Sequence, residues 1–95
     1  MAPPPTYPQF VTTRTAVAAS AWNAITIPPG SIDAMISLED STSTFRVTSN
    51  NLIALNQGSF VPATGAYVFP GSSVNSFVVY VNPANATTVV LQTQR

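Results

Sequence analysis

The chain has 95 residues, near the roughly 100 of an immunoglobulin-like sandwich, so a single domain accounts for it. The absence of cysteine and histidine excludes disulfides, the usual zinc sites, thiolate nucleophiles and imidazole acid-base chemistry. Charged residues make up 6% of the chain, against about 25% in ordinary soluble domains, while 45% are apolar; such a surface gains most by being covered by copies of itself or by a partner.

Residues 1–9, MAPPPTYPQ, hold four of the nine prolines. They read as an extended arm in polyproline-like geometry, with Tyr7 and Phe10 as candidate anchors on a partner surface and a frayed terminus as the alternative. The start lacks a basic stretch followed by an apolar one, so no secretory leader is expected. No apolar run approaches the ~20 residues of a bilayer span, and synthesis in the cytoplasm follows as the expectation.

From Phe10 to Thr15 the pattern FVTTRT is β-prone and predicts a first strand. The alanine-rich span Ala16–Ala24 has helical propensity but no charged face and little length, so it reads as a strand or bend leading into Trp22 and the apolar face Ile25 and Ile27. Pro28-Pro29-Gly30 ends that run. Trp22 reads as a core or interface residue.

The clearest alternation sets Ile32, Ala34, Ile36 and Leu38 against Asp33, Met35, Ser37 and Glu39, the signature of a half-buried strand. After the turn cluster Asp40-Ser41-Thr42-Ser43, alternation resumes with Phe45 and Val47 inward. A hairpin here would pair Leu38 with Phe45 and Ile36 with Val47, and would set Glu39 diagonal to Arg46. Short apolar runs follow at 52–55, 59–61 and 66–69, each ended by turn residues.

The last stretch, Ser76–Thr93, carries two β-branched and aromatic runs, 77–81 and 87–91, around Asn82-Pro83-Ala84-Asn85-Ala86. Paired as a hairpin, Phe77 faces Leu91, Val79 faces Val89 and Val81 faces Thr87, leaving Val78, Tyr80 and Val90 on a second apolar face that asks for a cover. The alternative is that the two runs sit in different sheets of a sandwich. Either way, seven or eight short strands with no convincing helix predict an all-β fold, a single antiparallel β-sandwich or jelly roll over residues 10–95.

Several chemistries lack their parts. Of the three carboxylates, Asp33 and Glu39 lie roughly 20 Å apart along one strand, whereas glycosidase pairs need about 5 to 9.5 Å. No base stands ready to activate a serine, and the four glycines are scattered at turns rather than gathered in a phosphate-binding loop. Three arginines balanced by three acids give no basic footprint for nucleic acid. Glu39 and Asp40 are too few carboxylates for a usual calcium site. No catalytic residue, cofactor or metal ligand is expected.

The stretches IPPGSIDAMISLEDSTSTFRVTS and FPGSSVNSFVVYVNPANATTVVLQTQR together resemble small accessory β-proteins of tailed-phage virions, the cement or decoration proteins of capsids. The likeness lies in general character, with short β runs, Pro-Gly turns, a Ser/Thr-rich surface and a proline-rich leader, and includes no diagnostic motif. It implies a non-enzymatic virion component on the capsid surface, often a homotrimer, that bridges major capsid protein subunits. The residues expected to meet partners are Tyr7, Phe10, Val78, Tyr80 and Val90. Alternatives are a glycan-binding or adhesin module, with Trp22, Tyr67 or Tyr80 stacking on sugar rings, and a tail or fibre component.

Overall fold

In a computed structural model, which describes residues 10–31, 33–40, 42–69 and 75–94, the described residues form eight strands and no helix. They are β1 Phe10–Val17, β2 Asn23–Ile27, β3 Asp33–Leu38, β4 Phe45–Thr48, β5 Ser59–Val61, β6 Ala66–Phe69, β7 Phe77–Pro83 and β8 Thr87–Gln94. Two four-stranded sheets result, ordered β1-β8-β3-β6 and β2-β7-β4-β5, with every pairing antiparallel. The pairs β1·β8, β2·β7, β3·β6 and β4·β5 are nested, as in one long ribbon doubled back between β4 and β5 and then rolled; β3·β8 and β4·β7 complete the sheets. This is the eight-stranded jelly-roll arrangement. The expected arm, residues 1–9, lies outside the described residues.

Alternation places the core. Ile25 and Ile27 of β2, Ala34 and Ile36 of β3, Phe45 and Val47 of β4, Val79 and Val81 of β7, and Val89 and Leu91 of β8 all turn inward and are buried, joined by Val17 and Val61. Tyr67, Phe69 and Phe77 pack at the margin, with Tyr67 and Phe69 ring centroids 4.7 Å apart and Phe69 and Phe77 edge-on at 6.2 Å. Without disulfides, this layer carries the fold, each large aliphatic chain contributing about 1.5–3 kcal/mol on burial.

Both expected hairpins are corrected. β7 lies in one sheet and β8 in the other, so Val79 pairs with Ile25 of β2, and Val89 with Thr15 of β1 and Leu38 of β3. β3 and β4 are likewise divided, so Leu38 and Phe45 are not ladder partners, and Phe45 pairs with Val61 and Pro83. Glu39 accordingly meets Arg14 at 3.1 Å, not Arg46. The chain does turn near both clusters, although Asn82 and Pro83 of the expected 82–86 turn belong to β7, and each turn carries the chain across the gap between sheets rather than back along one sheet.

Side-chain hydrogen bonds hold those crossings. Asp40 accepts from the Thr42 amide (2.9 Å) and hydroxyl (2.8 Å) and from the Ser43 hydroxyl (2.7 Å). The buried Ser43 oxygen in turn accepts from the Asn85 amide at 3.0 Å, which ties the β3–β4 crossing to the β7–β8 crossing. Asn23 makes a reciprocal pair with the Ala18 backbone, at 3.1 and 2.9 Å, and so closes the turn from β1 to β2. Ala16 and Val17 finish β1 as strand, two residues beyond the expected end at Thr15. Pro83 is accommodated as the last residue of β7, beyond the Asn23↔Val81 pair that ends β2, where fewer ladder donors are required.

Candidate functional site

The residues expected to form one partner surface are separated. Val78 and Tyr80 point outward from the β2-β7-β4-β5 sheet, whereas Val90 points outward from the opposite sheet, so the three do not share a face. The reason is the division of β7 from β8: two outward faces of one hairpin become the two opposite outer surfaces of a sandwich. Tyr7 lies outside the described residues; Phe10 opens β1 opposite Gln94, and its side chain is outside them too. Of the candidate sugar platforms, Tyr67 leans inward on Phe69 and Trp22 is committed to a loop, while Tyr80 remains partly accessible.

That loop is the most distinctive surface of the molecule. Residues 49–58 join β4 to β5, and the run 52–55 within them, apolar in sequence, forms turns instead of a strand. Three side-chain donors from elsewhere in the fold hold its carbonyls. The Trp22 indole donates to Ile53 at 3.1 Å, the Asn82 amide to Leu55 at 3.0 Å, and the Arg46 guanidinium to Gly58 at 3.1 Å. Internal bonds add to these: Leu52 N–H to the Asn50 side chain (3.0 Å), Ala54 N–H to Gln57 Oε1 (3.2 Å) and Gln57 N–H to Ala54 O (3.0 Å). The loop thus satisfies much of its backbone while presenting Leu52, 90% exposed, at its tip.

Leu55 and Phe60 extend this apolar surface, Phe60 being 56% exposed. The Arg46 guanidinium lies 5.3 Å from the Phe60 ring centroid, a cation–π contact that covers part of the ring. No charged residue occurs between positions 47 and 94. Beside the loop, Arg46, Phe60, Asn82 and Pro83 help line a groove of about 170 Å³; the Asn82 amide oxygen is itself buried and has no hydrogen-bond partner. Leaving such an acceptor unmet costs about 1–3 kcal/mol. In the sequence, 52–55 reads only as an apolar run. The signal the sequence contained was the asparagine and glutamine bracket, whose side chains here bond the loop's own backbone.

A second groove, of about 190 Å³, opens on the other sheet among Met35, Val68 and Gln92. Among the described residues no three His, Cys, Asp or Glu side chains come together as a metal site would need. The fold defines the chain as a jelly-roll protein. Comparison with protein-family models, with curated proteins and with solved structures finds no match to it.

Proposed function

We propose that this chain is a non-enzymatic structural protein of a virion, a cement or decoration protein that sits on the capsid surface and bridges major capsid protein subunits. The observation that carries the reading is the uncharged β4–β5 loop: an apolar tip held by hydrogen bonds, on a chain almost free of charge, gains by being covered. Preorganisation supports this role, because a loop already held by Trp22, Asn82 and Arg46 loses little freedom on docking. The jelly roll is compatible, being an architecture of capsid and lectin domains, although the fold by itself does not select a function. The protein is made in the host cytoplasm and acts on the particle.

A glycan-binding reading draws on one observation, the exposed Phe60 ring beside the groove. A glycan array would favour it if binding were lost in Phe60→Ala and unaltered in Leu52→Asp.

A titration onto capsids stripped of the protein tests the main reading. Leu52→Asp is expected to weaken binding about tenfold or more, as at an interface hot spot, with weak salt dependence for the parent protein. Deleting residues 1–9 is expected to weaken attachment as well, if Tyr7 adds contact area along the capsid. Failure of the unaltered protein to bind such capsids would overturn the assignment. Unchanged affinity of Leu52→Asp would remove the loop from it.

A further inference from the structure

Two sheets have four edges, and three of them are guarded. β5 has three residues and is followed by Pro62; β6 has four and precedes Pro70; β2 has five and runs into Pro28-Pro29. Short strands and prolines are the usual protections against pairing with another chain. β1 has neither. It runs for eight residues, FVTTRTAV, without proline, glycine or lysine, and matches β8 residue for residue from Phe10↔Gln94 to Val17↔Thr87 with no bulge to bend it. Among the described residues only β8 pairs with it, so it ends its sheet.

The side chains from Val11 to Ala16 also lack a cover, while Val17 at the end of the strand is buried. Val11, Thr13 and Thr15 lie on the same side as the buried Thr93, Leu91 and Val89 that they oppose on β8, yet all three are exposed. The single charge of the strand, Arg14, is on the other side and is matched by Glu39 at 3.1 Å within the same chain.

We propose that β1 is a self-pairing edge: two copies join antiparallel about a two-fold axis through Thr13, continuing their sheets into one of eight strands. Directly opposed residues in an antiparallel pair point to the same face, so a two-fold axis must pass through a residue's own pair. Centring on Arg14 would set two guanidinium groups against each other, which is unfavourable. Centring on Thr13 matches Thr13 with Thr13, Val11 with Thr15 and Thr12 with Arg14, and it engages residues 10–16 of each copy, a longer overlap than centring on Thr12 or Thr15. The exposed row then consists of β-branched pairs, which suit a sheet. The chain's own segment 1–9 is a poor occupant of the edge, since prolines 3, 4, 5 and 8 have no N–H to donate. This two-fold pairing yields an even-numbered oligomer in place of the trimer implied by the resemblance to cement proteins, and it stands independently of the loop and of the capsid reading.

Sedimentation of the full chain at micromolar concentration tests it with Thr13→Lys and Thr13→Asp. The unaltered protein is expected to be dimeric, each variant alone to dissociate with an affinity at least about tenfold weaker, and their equimolar mixture to recover the dimer as Lys meets Asp on the axis. Both variants should melt with the parent at concentrations low enough for the parent to be monomeric, because Thr13 is exposed, and below it where the parent is dimeric. Hydrogen exchange on the unaltered protein gives a reading independent of substitution: edge-facing β1 amides should slow as concentration rises while those of β2 and β5 do not. A monomeric parent, an oligomer indifferent to both variants, a mixture that stays dissociated, or β1 amides indifferent to concentration would each overturn the proposal.

Discussion

Trp22 donates its indole N–H to the Ile53 carbonyl 3.1 Å away, linking the β1–β2 turn to a loop 31 residues further on. Gly58 sits under the same ring: a Cβ at this position would lie 3.1 Å from Trp22 Cη2 and 3.1 Å from the Val47 carbonyl oxygen, on a backbone with φ of 114°. The close approach of ring and backbone therefore depends on the missing side chain.

Two substitutions test that arrangement. Trp22→Phe keeps a ring but removes the donor, and is expected to cost about 1–3 kcal/mol in chemical denaturation while speeding hydrogen exchange in residues 49–58. Gly58→Ala should cost a similar amount through backbone strain and crowding. A parent-like denaturation midpoint in both would show that the loop is held by other contacts.

The core is expected to be intolerant where the loop tip is not. Val79 is 2% exposed and lies in the layer with Val89, so Val79→Asp places an uncompensated carboxylate there and should destabilise by several kcal/mol or prevent folding. Leu52→Asp, at a fully solvated tip, should stay within about 0.5 kcal/mol of the parent. Thermal melts of the two variants check the contrast.

Acid should loosen the crossing between β3 and β4. The Ser43 hydroxyl, then the Thr42 amide and hydroxyl, donate to the Asp40 carboxylate and hold its pKa below the ordinary value of 3.8. A carboxyl whose pKa falls on folding stabilises the native state above its unfolded pKa, and that contribution is lost as pH falls through the folded value. Asp40→Asn should therefore be less stable than the parent at neutral pH, with the gap narrowing below about pH 4. Urea titrations at neutral pH and at about pH 2 measure it; a gap that widens in acid would contradict the assignment.

Alternation in the sequence marks the inward side chains of β2, β3 and β4, whereas β7 and β8 read as apolar on both faces and only the fold shows which of them is buried. The alternations at 34–38 and 45–47 name residues that the fold buries or packs against its core, and the Pro and Gly clusters mark where strands stop. Partnership was decided only by the tertiary structure. Backbone ladders are nearly blind to side-chain identity, and in a sandwich the inner faces of opposed sheets are apolar in the same way as the two halves of one hairpin. Phe77–Val81 and 87–91 therefore match equally well as ladder neighbours or as strands of facing sheets, and rolling the chain into nested pairs selected the second. The candidate surface was hidden for a related reason. Leu52 and Leu55 are apolar like core residues, and two donors distant in sequence, Trp22 and Asn82, with Arg46 of the adjoining β4, hold their segment in a loop at the surface.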